Sequence, residues 1–188
     1  MGRKVLVLVV ATALLSTAGA ALASGSSVKE RFTPYGFSLR VPQTWLRVNW
    51  CWLGVNELPI AVLTSAQQPP ICSQPVVGVP SSFPPAEALG ANDMSVFVSL
   101  QAILAPPGTK GRWNARVDGR PAFTFHTVGD TYATEVTCPA GVQREYRYAG
   151  VRQPGNALIK IEALMCGPDL RGEAATFRRV LYSLRFTH

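Results

Sequence analysis

The chain is 188 residues long, with 18 Lys and Arg against 11 Asp and Glu, a formal net charge of +7, and 47% hydrophobic residues. That is enough chain for one domain with its own core, so a miniature fold held together mainly by disulfides is excluded. The positive excess is modest and forms no basic run, which argues against nucleic acid and leaves solubility, or loose association with anionic wall polymers or lipid headgroups.

Residues 1–23 (MGRKVLVLVVATALLSTAGAALA) read as a signal peptide. Arg3 and Lys4 form a basic start, Val5 to Leu15 is an apolar run broken only by Thr12, and Ala21-Leu22-Ala23 supplies the small-x-small pattern cut before Ser24. Arg3 and Lys4 leave with this leader and no acid does, which lowers the charge from +7 to +5. Beyond residue 23 no apolar run approaches the roughly 18–20 residues that cross a bilayer. Ser24, rather than Cys, follows the cut, so no lipid anchor is expected. The sequence therefore predicts a secreted or extracytoplasmic protein, in the periplasm or cell envelope, with no membrane span after cleavage.

Residues 24–31 (SGSSVKER) are polar and are expected to be a flexible lead-in to a single domain over 32–188. Phe37, Leu39 and Val41 alternate with Ser38 and Arg40 as in a half-buried strand, which Pro42 ends. Trp45 follows, and Trp50 and Trp52 flank Cys51. Leu58–Leu63 is a second apolar strand. Residues 67–90 contain six prolines, which rule out a long helix or central strand; Cys72 would pin this loop, and a short helical turn fits Pro85–Leu89. Met94, Val96, Val98, Leu100, Ala102 and Leu104 share one face of a clear strand. Strands over 112–117 and 122–128 flank a turn at Asp118-Gly119, with Phe123 and Phe125 on a core face. A meander over Tyr132–Cys138, Gln143–Val151 and Ala157–Met165 follows, its middle strand charged on a face expected to be wet. After Gly167-Pro168-Asp169, the stripe Leu170, Ala174, Phe177, Leu181 and Leu184 marks an amphipathic helix, with Asp169 and Glu173 at its positive end and Arg178 and Arg179 toward water. A short strand over 183–186 closes the chain.

Cys51, Cys72, Cys138 and Cys166 are an even set in an oxidising compartment, so two disulfides are expected. Of the three possible pairings, Cys51–Cys72 and Cys138–Cys166 close the shortest loops and are favoured. If Cys138 and Cys166 end the outer strands of the meander, about 9.6 Å separates them, and one end must curl over to reach the 5.5–6 Å typical of a disulfide.

Phe32-Thr-Pro-Tyr-Gly-Phe-Ser-Leu-Arg-Val-Pro-Gln-Thr-Trp45 resembles the opening of PsbP-like domains, where an alternating strand ends in Pro with a Trp close behind. Phe177-Arg-Arg-Val-Leu-Tyr-Ser-Leu-Arg-Phe186 resembles their last helix running into a terminal strand. The resemblance spans most of residues 32–186 and implies an α+β fold: an antiparallel β-sheet with a C-terminal helix and a shorter helix packed on it, a PsbP-like sandwich. It implies a binding or assembly role and carries over no functional residue.

Motifs for chemistry are scarce. There is no G-x-S-x-G elbow and no phosphate-cradling glycine motif. The histidines are His126 and His188, and no C-x-x-C pair occurs, so no metal site is expected. His126 lies on a strand face opposite Phe123 and Phe125. Glu135, Glu145 and Glu162 fall on consecutive strands beside Arg144, Arg147 and Lys160, the pattern of a cross-strand charge ladder. Trp45, Trp50 and Trp52 are the candidate ligand-binding residues, since tryptophans held near a disulfide suit sugar rings or apolar chains. The expectation is an exported, non-catalytic module without a cofactor, binding an envelope protein, a wall polymer or a small apolar ligand. The alternatives are an envelope-directed hydrolase using His126 and a small-molecule or metal carrier.

Overall fold

Apolar–polar alternation makes strands of most of this chain, and their pairing gives two antiparallel sheets joined by one helix, an α+β fold. The computed structural model describes residues 25–48, 57–66, 89–102, 113–129, 138–154 and 157–187. A small sheet contains β1 (Ser27–Phe32), β2 (Phe37–Pro42) and β10 (Arg185–Phe186), in the order β1-β2-β10. A large sheet contains β3 (Leu46–Val48), β4 (Glu57–Thr64), β5 (Asp93–Ala102), β6 (Ala115–Val117), β7 (Arg120–Val128), β8 (Arg144–Gln153) and β9 (Ala157–Cys166), in the order β3-β4-β5-β9-β8-β7-β6. The helix α1 (Leu170–Tyr182) packs on β8 and β9 of the large sheet and on β2 of the small one.

The core lies between the sheets. Val96 and Val98 of β5, Ile159, Ile161, Ala163 and Met165 of β9, and Ala149 and Val151 of β8 project to the inner face of the large sheet. Phe37, Leu39 and Val41 of β2 meet them from the small sheet, and Ala174, Phe177, Val180 and Leu181 from α1. All are buried, and a fully buried side chain of the Val, Leu or Phe type stabilises the fold by about 1.5–3 kcal/mol. These are the faces expected from the period of two in the strands and of three to four in the helix.

The entry to α1 is tightly specified. Asp169 is the N-cap and its carboxylate accepts the Gly172 N–H at 3.1 Å, a contact worth about 1 kcal/mol. Gly167 precedes it at φ +150, and a Cβ there would stand 2.6 Å from the Asn92 backbone nitrogen. Only glycine fits, because β5 and the end of β9 approach each other at this point. The Gly167 N–H donates to the Gln143 carbonyl at 2.9 Å, which ties the helix entry to the start of β8.

Three expectations change, and a fourth falls almost wholly outside the described residues. Residues 27–32, placed in the flexible lead-in, form β1 and pair with β2 along their whole length, from Ser27↔Pro42 to Phe32↔Phe37. Only Phe32 of β1 is buried, so the strand carries no apolar alternation to read. The meander is also built differently: β8 is flanked by β7 and β9, so the sheet neighbour before β8 is Arg120–Val128 and not the 132–138 segment. Residues 130–137 lie outside the described residues, and Cys138 itself is not in a strand. The charged face of β8 expected to be wet, which carries Glu145 and Arg147, is covered: Glu145 is buried and Arg147 half-buried. Finally, one helix longer than a single turn is present among the described residues; the shorter helix expected at Pro85–Leu89 falls outside them except for Leu89, which is buried and not helical.

Candidate functional site

Pro42 ends β2, and the turn that follows returns the Trp45 N–H to the Pro42 carbonyl at 3.0 Å. This places the half-buried Trp45 beside α1, where two cavities adjoin. One, of about 590 Å³, is lined by Arg40, Pro42, Trp45, Arg179 and Ser183 among others. The other, of about 370 Å³, is lined by Trp45, Ser65, Asn92, Asp169, Glu173 and Arg179 among others. Trp45, Thr176 and Arg179 belong to both. Together they make one groove running along the helix, with the indole at its middle.

The two ends differ in charge. At one end, neither Arg40 nor Arg179 takes part in an ion pair among the described residues. Arg179 donates from Nη2 to Thr176 Oγ1 at 2.8 Å, and Thr176 in turn donates to the Gly172 carbonyl at 3.0 Å, so the helix steadies this guanidinium. The backbone of Arg40 is clamped to the other end of α1, its N–H donating to Ser183 Oγ at 2.7 Å. At the opposite end, both carboxylate oxygens of Glu173 are shielded from solvent and lack a hydrogen-bond partner. Burial, and then the charges of Asp169, Asp93 and Glu145, push the Glu173 carboxyl from 4.5 up to about 7. Asp93 is committed elsewhere: it accepts the Gly90 N–H at 2.7 Å and the Ser65 hydroxyl at 3.1 Å. Glu145 pairs with Arg147 at 2.5 Å. These carboxylates do not converge on a point, and among the described residues no three acidic, His or Cys side chains are placed to hold a metal ion.

Of the residues singled out from the sequence, Trp45 lines the groove. Trp50, Trp52, Cys51, Cys72 and Glu135 lie outside the described residues. Cys138 and Cys166 are bonded, with Cα atoms 5.4 Å apart. The distance closes because Cys138 sits on the loop before β8 and curls over the end of β9. His126 is exposed on β7, in register with Arg147.

The expected charge ladder is not one. Glu145 stands opposite Met165 on the inner face, whereas Glu162 stands opposite Tyr148 on the outer face. Each is paired along its own strand, Glu145 with Arg147 and Glu162 with Lys160 at 2.9 Å. Glu162 also accepts the Tyr146 hydroxyl. Sequence reasoning missed Arg40, Glu173 and Arg179 as groove residues. Arg40 and Arg179 are exposed, as the strand alternation and the helix stripe led one to expect, but neither pattern showed that both border one groove, and Glu173 looked like a favourable charge at a helix start.

No family model matches the chain, and no curated protein matches it. Among solved structures it is similar to cyanobacterial PsbP (CyanoP) from Synechocystis sp. PCC 6803, at 13% identity and a TM-score of 0.36, over 92% of this chain and 98% of that one. The fold described above rests on strand pairing, not on that superposition.

Proposed function

We propose that the protein is an exported, non-catalytic binding or assembly module of the cell envelope or extracellular space, and that its ligand seat is the groove along α1. The observation that carries this reading is the juxtaposition in one groove of an indole, two arginines without ion-pair partners and a shielded, unpartnered carboxylate. The shielded Glu173 carboxylate costs stability when left unpaired, and the exposed Arg40 and Arg179 in the same groove are free to meet a ligand. The Cys138–Cys166 bond suits an oxidising compartment, in keeping with removal of residues 1–23 on export. In this reading the domain is a PsbP-like sandwich, with a shorter helix packed on the sheet besides the C-terminal one.

The test is an NMR screen of the purified protein against envelope peptides, wall-polymer fragments and small apolar compounds. Ligands that shift the Trp45 indole, Thr176 and Arg179 resonances support the reading. Turnover of any of these compounds that is lost in His126→Ala would overturn it.

A further inference from the structure

We propose that the groove binds an extended peptide segment of a partner protein, with an ammonium group seated at Glu173 and Asp169 and a carboxylate clamped between Arg40 and Arg179. This rests on the binding reading above and names the chemistry of its ligand.

The spacing comes from the helix. Glu173 and Arg179 are six residues apart on α1, about 9 Å along the axis at 1.5 Å per residue and about 120° around it at 3.6 residues per turn, so 9 Å is a minimum. An extended chain advances about 3.3 Å per residue, so the opposite charges of the ligand stand at least about three residues apart. Trp45 faces the stretch between them, where its indole packs on peptide planes and side-chain stems. Two arginines offer donors for both oxygens of a carboxylate. At the other end, an ammonium group seats on the exposed Asp169 carboxylate and supplies a counter-charge beside the shielded Glu173.

Charge complementarity separates this occupant from the others expected from the sequence. A neutral sugar polymer or an apolar chain offers no charge to the shielded Glu173 carboxylate and covers the exposed Arg40 and Arg179 without a counter-charge. An anionic lipid surface satisfies the arginines and is repelled by Asp169 and Glu173. A peptide bearing both charges satisfies both ends.

The test uses the purified full-length domain and an array of capped peptides of four to seven residues. Each carries one Lys and one Glu at a separation of two to five positions, in both orders, with Gln-substituted controls. The expected result is binding that peaks at a separation of at least about three and depends on the order of the charges. Arg40→Gln and Arg179→Gln should each weaken the best peptide about tenfold and leave its Glu→Gln control unaffected. Glu173→Gln should weaken it similarly and abolish the preference for Lys. Trp45→Phe should retain binding that Trp45→Ala loses, with circular dichroism showing both folded. Equal affinity for all charge patterns, or binding to phosphatidylglycerol vesicles with none to peptides, overturns the proposal. If no peptide binds while wall-polymer fragments shift the Trp45 and Arg179 resonances, the peptide assignment fails and the binding reading stands. If nothing shifts them, both fail.

Discussion

Replacing Glu173 with Gln should raise the stability of this protein at alkaline pH and flatten its pH dependence. The carboxyl group titrates near 4.5 when the chain is unfolded and at about 7 in the fold. A proton is therefore held more tightly by the native state, and the advantage is complete below about pH 4.5 and lost as pH rises through 7. A displacement of that size corresponds to at most about 3–4 kcal/mol. Glu173 keeps part of its surface in water, and screening reduces this to about 1–2 kcal/mol. Against it stands the favourable field of the α1 N-terminus, about 0.3–1 kcal/mol for a negative charge in the first turn, which Gln forgoes. The net expectation for Glu173→Gln is a gain of about 1 kcal/mol at pH 8 and no gain at pH 4.5. Urea denaturation of both proteins from pH 4.5 to 8.5, with the Cys138–Cys166 bond intact, measures the difference directly. Taking the difference removes every contribution that both proteins share. A variant that is less stable than the parent at pH 8, or a difference that stays constant across the range, would refute the account of Glu173 as a desolvated carboxyl repelled by Asp169, Asp93 and Glu145.

Three further outcomes follow from the same coordinates. Replacing Cys138 and Cys166 together with Ser opens a loop of sequence separation 28, and the chain-entropy relation gives a loss of about 3.5 kcal/mol, measurable as a lower urea midpoint. Gly167→Ala should cost more than about 2 kcal/mol, because the new Cβ meets the Asn92 backbone rather than a movable side chain; thermal unfolding reads it. Phe177→Ala removes a ring buried between α1 and both sheets and should cost about 3–5 kcal/mol, whereas Arg178→Ala on the exposed face of the same helix should change stability by less than about 0.5 kcal/mol.

The parts legible in the sequence are those where a local period reports a buried face. β2, β5 and β9 present every second residue to the core, and α1 presents every third or fourth. All four were readable because the inner core is apolar and continuous. β1 was not readable, since as an edge strand it buries only Phe32 and its pairing with β2 is the sole reason it is extended. The error over Glu145 and Glu162 has the same origin. Their placement on opposite faces depends on the β8–β9 register, in which Glu145 meets Met165, and neither residue's own neighbours encode that register. The groove fares likewise. Trp45 could be singled out by residue type, but Arg40 and Arg179 become neighbours only when α1 lies against β2, and the environment of Glu173 is assembled from β5, β8 and α1 together.

The small sheet has a consequence for how the two sheets hold together. Its central strand, β2, is zipped on one side by the first strand of the domain and on the other by the last, Arg185–Phe186. Phe186 is buried, and its N–H donates to the Asp118 carboxylate at the β6–β7 turn. The final two-residue strand thus acts as a latch that joins both sheets. Without Arg185–Phe186, β2 has an open edge and the small sheet loses its tie to the β6–β7 turn, so loss of these two residues should loosen both sheets at once.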